Sequence, residues 1–169
     1  MAAPTEQITK LLEVLSRSGI EFVVIGGAAG VLHGAPVTTL DLDIVHRRTP
    51  ENIGKLLDVL RQLGAYFHPD FAQRRLPPRE SDLAGQGHLN MQTSMGRLDV
   101  LCEVSEARGY DELLPHTEEF PHGDVRLRVL DLPTLIAVKA AAGRPKDRVT
   151  VPILIATLEE RKKRAGQAR

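Results

Sequence analysis

Tryptophan is absent from this sequence, cysteine occurs once, and only 4% of residues are aromatic. So few rings make a platform of stacked bases unexpected. The lone Cys102 rules out an internal disulfide and offers no metal-ligand spacing; a small buried residue is its expected role. The six histidines are scattered without a His-x-x-His spacing, which argues against zinc. No apolar run approaches the roughly 20 residues that a membrane helix needs. The opening MAAPTEQITK lacks the basic flank and apolar stretch of a secretory signal, so a cytoplasmic protein without a membrane partner is expected. An excess of charge is also missing. Lys plus Arg number 22 and Asp plus Glu number 22, a balance that speaks against a generic nucleic-acid coat while leaving room for a local basic groove.

What is present suffices for a packed core: 42% of residues are hydrophobic, and 26% are charged. A single domain over 1–169 is expected, with 131–169 as a C-terminal helical appendage. Ile8, Leu11, Leu12 and Leu15 recur at helical spacing, and Gly19 closes that helix. Residues 21–25 form a continuous apolar run suited to a buried strand, which ends at Gly26-Gly27 before a short small-residue helix. A second strand carries residues 40–45. Thr49 and Pro50 then mark a helix start as cap and first residue. Residues 66–86, with three prolines and the basic cluster Arg74, Arg75 and Arg79, read as a flexible loop. Strand pairs follow over 88–93 with 97–104, and over 118–120 with 125–129; a short helix over 110–114 lies between them. Asp131 caps a further helix, residues 143–147 break it, and a last helix starts near Arg148. Helices and strands in this order predict an α/β (α+β) domain with a mixed β-sheet flanked by helices and followed by C-terminal helices.

Three features carry chemistry. Gly26-Gly27 sits between a buried strand and a helix, where a bare backbone and helix N–H groups suit phosphate. Asp41 and Asp43 are two apart on a strand, so both side chains leave the same face. Two carboxylates side by side repel unless a positive ion lies between them, and a hard divalent cation such as Mg2+ or Mn2+ suits such a pair. Asp99, in an apolar run, is costly to bury without a partner; taken alone, it reads more often as a strand-edge ion pair, with Arg97 a candidate partner. No Gly-x-x-x-x-Gly-Lys or Gly-x-Gly-x-x-Gly motif is present, which removes the P-loop and Rossmann readings. Glycines for phosphate and carboxylates for metal together point to metal-assisted phosphoryl transfer.

Gly26-Gly27, the Asp41-Leu42-Asp43 pair and Asp99 on a later strand resemble the DNA-polymerase-beta-like nucleotidyltransferase superfamily. The closer likeness is to its small abortive-infection and toxin-type bacterial group. It extends to His33-Gly34, Pro36-Val37, Thr39, Gly96-Arg97-Leu98-Asp99, Lys139 and Arg144-Pro145-Lys146-Asp147. The resemblance implies a nucleotidyltransferase fold and transfer of a nucleotidyl group from an NTP to a hydroxyl acceptor: tRNA, protein or a small molecule. It also implies a toxin role with an antitoxin partner. Gly26, Gly27, Thr39, Lys139 and Lys146 would then bind the nucleotide, ATP among the candidates, and Asp41, Asp43 and Asp99 would hold the metal and act in catalysis. Val37 stands where relatives commonly carry a basic residue, and Ala28 where many carry serine. These two positions motivate the alternative of a catalytically weak nucleotide-binding or partner-binding module on the same fold. A metal-dependent phosphohydrolase is the third reading. Of the residues outside the triad, His33 reads as packing or as a neighbour of the site, Lys139 as a snorkelling or functional cation, and Asp147 as a helix N-cap or, by the resemblance, a residue lining the nucleotide or acceptor side. The basic run Arg161–Arg164 reads first as a solvated helix end, with contact to an RNA acceptor as the lesser reading.

Overall fold

The computed structural model describes residues 4–168; the first three residues read for a leader lie outside them. The chain runs α1 (Pro4–Arg17), β1 (Phe22–Ile25), α2 (Gly26–Leu32), β2 (Asp41–His46), α3 (Pro50–Gln62), β3 (Tyr66–Phe67), α4 (Glu80–Ala84), β4 (His88–Thr93) and β5 (Gly96–Leu101). It continues with α5 (Tyr110–Leu113), β6 (Thr117–His122), β7 (Val125–Leu130), α6 (Leu132–Ala142) and α7 (Pro145–Gln167). Short 3-10 turns lie at Ser105–Ala107 and Leu114–His116.

The seven strands form one mixed sheet in the order β3-β4-β5-β2-β1-β7-β6. Two parallel pairings, β2 with β5 and β1 with β7, sit among antiparallel ones. β1 lies between β2 and β7, so Phe-Val-Val-Ile is buried throughout, as its unbroken apolar run requires. β2 and β5 instead alternate. Leu42, Ile44, Leu98 and Val100 are fully buried, while Asp41, Asp43, Arg97 and Asp99 face the other way. α1 packs on β2, β5 and β7 and touches α3, placing Leu11, Leu12 and Leu15 in the core. α2 packs on β1, β2 and α6, and α7 lies against α6.

Local signals account for most boundaries. Gly19 takes φ +67 after α1, and Gly143 takes φ +61 after α6, a left-handed backbone that glycine adopts without steric cost. The Thr49 hydroxyl accepts from the Asn52 N–H, with Pro50 in first position, and Asp131 accepts from Thr134 N–H at 2.8 Å. Cys102 is buried.

Three expectations are corrected. Residues 66–86 hold two ordered elements, β3 and α4, which local reading passed over because a two-residue strand and a five-residue helix have no period to detect. The stretch between them is a loop, as expected, and carries its own hydrogen bonds. The Asp70 carboxylate accepts from the N–H groups of Arg74 and Arg75, and Phe67 N–H donates to the Leu76 carbonyl. The last helix begins at Pro145, three residues earlier than expected, because proline fits the first helical turn. Asp147 is therefore not the N-cap but the third helical residue, its carboxylate accepting from the backbone N–H of Arg144. Finally, the Arg161–Arg164 end is not simply solvated. Arg161 pairs with Glu118 at 2.9 Å and reaches Nδ1 of buried His33, whose Nε2 lies 2.8 Å from the Leu130 carbonyl. His33 thus ties α7 to the sheet by packing and hydrogen bonds.

Candidate active site

The site grows from the parallel pairing of β2 with β5. Asp43 stands opposite Asp99 and Asp41 opposite Arg97, all four side chains on one face. One carboxylate oxygen from each of Asp41, Asp43 and Asp99 lies within 4.8 Å of the others. Arg97 approaches Asp41 at 4.0 Å, so the expected Arg97–Asp99 ion pair is replaced by a pairing across the strands. Asp99 Oδ1 is buried with no hydrogen-bond partner, an arrangement that costs free energy unless something positive fills it.

The electrostatics carry the same signature. Burial first, then the charges of Asp41 and Asp99, push the Asp43 carboxyl from an ordinary 3.8 up to about 7, against the pull of Lys146 and Lys139. Asp99 is raised chiefly by burial and then by Asp41, while Arg97, Lys146 and His68 oppose the shift. A divalent cation suits this cluster: three hard oxygen donors converge, one of them unpartnered, and their mutual repulsion is what such an ion relieves.

Gly26 and Gly27 open α2 directly above the pair. Gly26 has φ +64, and a Cβ built there would lie 2.1 Å from Asp43 Oδ2; one on Gly27 would lie 2.6 Å from Thr39 Oγ1. The glycines therefore admit the carboxylate and the threonine as neighbours, a demand independent of any ligand. Thr39 in turn donates to the Asp41 carbonyl at 2.9 Å and lies 3.2 Å from Asp41 Oδ1, so it orients the first aspartate. Ala28 is buried, and Val37 packs against the core.

Lys139 does not snorkel. It is buried, with Nζ 3.3 Å from Asp147, whose own side chain is only 1% exposed. Arg144 Nε reaches the same carboxylate at 2.7 Å. Burial pushes the Asp147 carboxyl up, but the hydrogen bonds and charges of Arg144 and Lys139 outweigh it and hold it below the usual aspartate range. The junction of α6 and α7 thereby presents Lys139, Arg144 and exposed Lys146 close enough for their charges to couple to Asp43.

No family model and no curated protein matches this sequence. Solved structures match it over nearly its whole length. The lincosamide antibiotic adenylyltransferase LnuA, determined with lincomycin bound, superposes with a TM-score of 0.61 at 9% identity, over 90% of this chain and 96% of that one. The antibiotic-resistance factor ANT(2'')-Ia gives 0.52 at 16% identity over 98% of each chain. This chain has the nucleotidyltransferase fold. A Thermotoga maritima protein provisionally assigned as a nucleotidyltransferase, TM1012, agrees, with a TM-score of 0.55 at 14% identity over 92% of this chain and 96% of that one. The nucleotidyltransferase sheet expected from the sequence, mixed and flanked by helices with further helices at the C-terminus, is the one observed.

Two features of the site escaped sequence reading. Arg97 serves Asp41 because β2 and β5 are parallel and in that register; its spacing of two from Asp99 was the available signal for a shared face. Arg144 joins the cation group because Asp147 holds it, a contact only the turn at Gly143 reveals.

Proposed function

We propose that the chain is a metal-dependent nucleotidyltransferase acting on an NTP and a hydroxyl acceptor. The observation that carries this reading is the convergence of Asp41, Asp43 and Asp99 within 4.8 Å, with Asp99 Oδ1 buried and unpartnered. A bound Mg2+ (or Mn2+) would neutralise the carboxylates and the triphosphate and make the acceptor hydroxyl more acidic. The NTP would lie between the carboxylate face and the α6–α7 junction, with Lys139, Arg144 and Lys146 facing its phosphates. Gly26 and Gly27 would give it backbone access, and Thr39 would keep Asp41 oriented. The acceptor oxygen attacks the α-phosphorus and the bond from that phosphorus to the β-bridging oxygen breaks. Pyrophosphate leaves, and the hydroxyl proton would pass to Asp99, whose carboxyl is held above its ordinary range by burial and then by Asp41.

Residues 1–169 are read as one catalytic unit whose last two helices close the site. LnuA is named an antibiotic adenylyltransferase, which supports ATP and a small-molecule acceptor as one form of the reaction. The toxin role with an antitoxin, and a cytoplasmic setting, follow from the sequence reading. Among the described residues, no helix is long and apolar enough to cross a membrane.

The test is incubation with each NTP, Mg2+ and cell RNA or lysate, followed by detection of pyrophosphate and of the labelled acceptor. Wild-type protein is expected to label an acceptor, and Asp41→Asn and Asp43→Asn to lose at least about a hundredfold in rate, the scale of removing one charge-stabilising group. NTP binding without product would favour the binding module instead, and release of inorganic phosphate the phosphohydrolase.

A further inference from the structure

The polar face that carries the carboxylates does not stop at β5. Asn90 on β4 pairs with Asp99, and Gln92 with Arg97, so a polar strip continues outward from the triad with Asn90 and His88 exposed. His68 N–H donates to the Asn90 carbonyl, so the segment after β3 leaves the sheet level with Asp99. It lies two strands away, roughly 10 Å at the usual spacing of about 4.8 Å.

That segment is ordered but presents an unusual surface. Asp70 fixes it through two backbone N–H groups, and Gln73 and Arg75 adopt φ of +53 and +48, a conformation side-chain-bearing residues rarely take. The result is Phe71 at 93% exposure and Leu76 at 54%. Neither Arg74 nor Arg75 forms an ion pair among the described residues, and the Arg75 guanidinium lies 5.5 Å over the Tyr66 ring. A single exposed phenylalanine is ordinary. An exposed ring in the same segment as two arginines that form no ion pair among the described residues, at the end of a polar strip leading to a transfer centre, is a different surface. Its one aspartate, held by backbone donors, offsets one of the two positive charges and leaves the segment net positive.

We infer that residues 68–76 and the β4 strip form the acceptor surface, and that the acceptor is the hydroxyl end of a single-stranded polynucleotide. Arg74 and Arg75 meet the phosphates and Phe71 stacks on a base. A net-neutral chain can do this because the positive charge is local. A cationic acceptor would be repelled by the same arginines. This inference rests on the nucleotidyltransferase reading for its geometry, but the loop's affinity can be measured without turnover.

The experiment is fluorescence anisotropy of labelled 20-mer single-stranded RNA and DNA against the full-length protein, Phe71→Ala, and Arg74→Glu/Arg75→Glu, over a salt series. Melting curves check that each variant is folded, and calorimetry with each NTP and Mg2+ runs in parallel. Wild-type protein should bind the oligonucleotides. Charge reversal should weaken binding at least tenfold and flatten the salt dependence, and Phe71→Ala should weaken it about fivefold or more. NTP binding should be unchanged in both variants. Unchanged oligonucleotide affinity in folded variants, or no binding by wild type, overturns the inference. So does equal binding of a polyglutamate peptide that is insensitive to Phe71→Ala, which would point to an acidic protein. Loss of NTP binding in the wild type would instead defeat the transfer reading and leave the loop result to stand on its own.

Discussion

The two glycines ahead of the carboxylates have different neighbours from those their motif suggests. Their missing side chains make room for Asp43 and Thr39, and the ligand comes second. Gly26→Ala is therefore expected to destabilise the fold by ~1–3 kcal/mol, from φ +64 and the collision with Asp43, and to abolish metal-dependent transfer. Gly19→Ala is the comparison. It has a similar φ of +67 with nothing within 4 Å of the added carbon, so chemical denaturation should show about 1 kcal/mol lost and transfer retained. If the two variants behave alike in both measurements, the close approach at Gly26 has no role.

At the scale of elements, the junction of α6 with α7 is closed by charge. Asp147 accepts from Lys139, from Arg144 Nε and from the Arg144 backbone, closing the turn that Gly143 starts. Asp147→Ala leaves Lys139 buried and unpaired, and is expected to cost ~3–5 kcal/mol. Lys139→Met/Asp147→Ala should recover a large part of that loss, because the stranded charge is gone. Denaturant midpoints of the single and double variants form the cycle that measures the coupling; simple additivity would show that the pair is not coupled.

Across the whole molecule, the carboxylate cluster links pH, metal and stability. Asp43 holds its proton more tightly folded than unfolded, about 7 against 3.8. Its contribution to stability is therefore fully present below the unfolded value and is lost as pH rises through about 7. Metal-free wild type and Asp43→Asn should be similar near pH 4, and the variant should become progressively the more stable up to pH 8. Comparing the two proteins cancels the titration of groups remote from the carboxylate cluster. Mg2+ should close the gap by stabilising wild type alone, and more at pH 8 than at pH 6, where protons compete for the same oxygens. Thermal melts with EDTA or Mg2+ at both pH values decide this; a gap independent of pH would remove the Asp43 assignment.

Period and punctuation made much of this protein readable from its sequence. Alternation along β2 placed Asp41 and Asp43 on one face, Thr49 and Asp131 marked helix starts, and glycines marked the ends, because each of these is settled by contacts a few residues apart. What lay beyond that range was decided by packing. Asp99 became the partner of Asp43 only through the parallel register of β2 with β5, across dozens of intervening residues. Lys139 became a buried ion pair only when the turn at Gly143 returned Asp147 to it. Short β3 and α4, invisible as periods, owe their form to the sheet edge and α3 they pack against, and they bracket a loop shorter than the one expected. Charge, turn and apolar surface are properties a residue carries alone or with its near neighbours, whereas which charges face one another depends on strand register and helix packing across the chain.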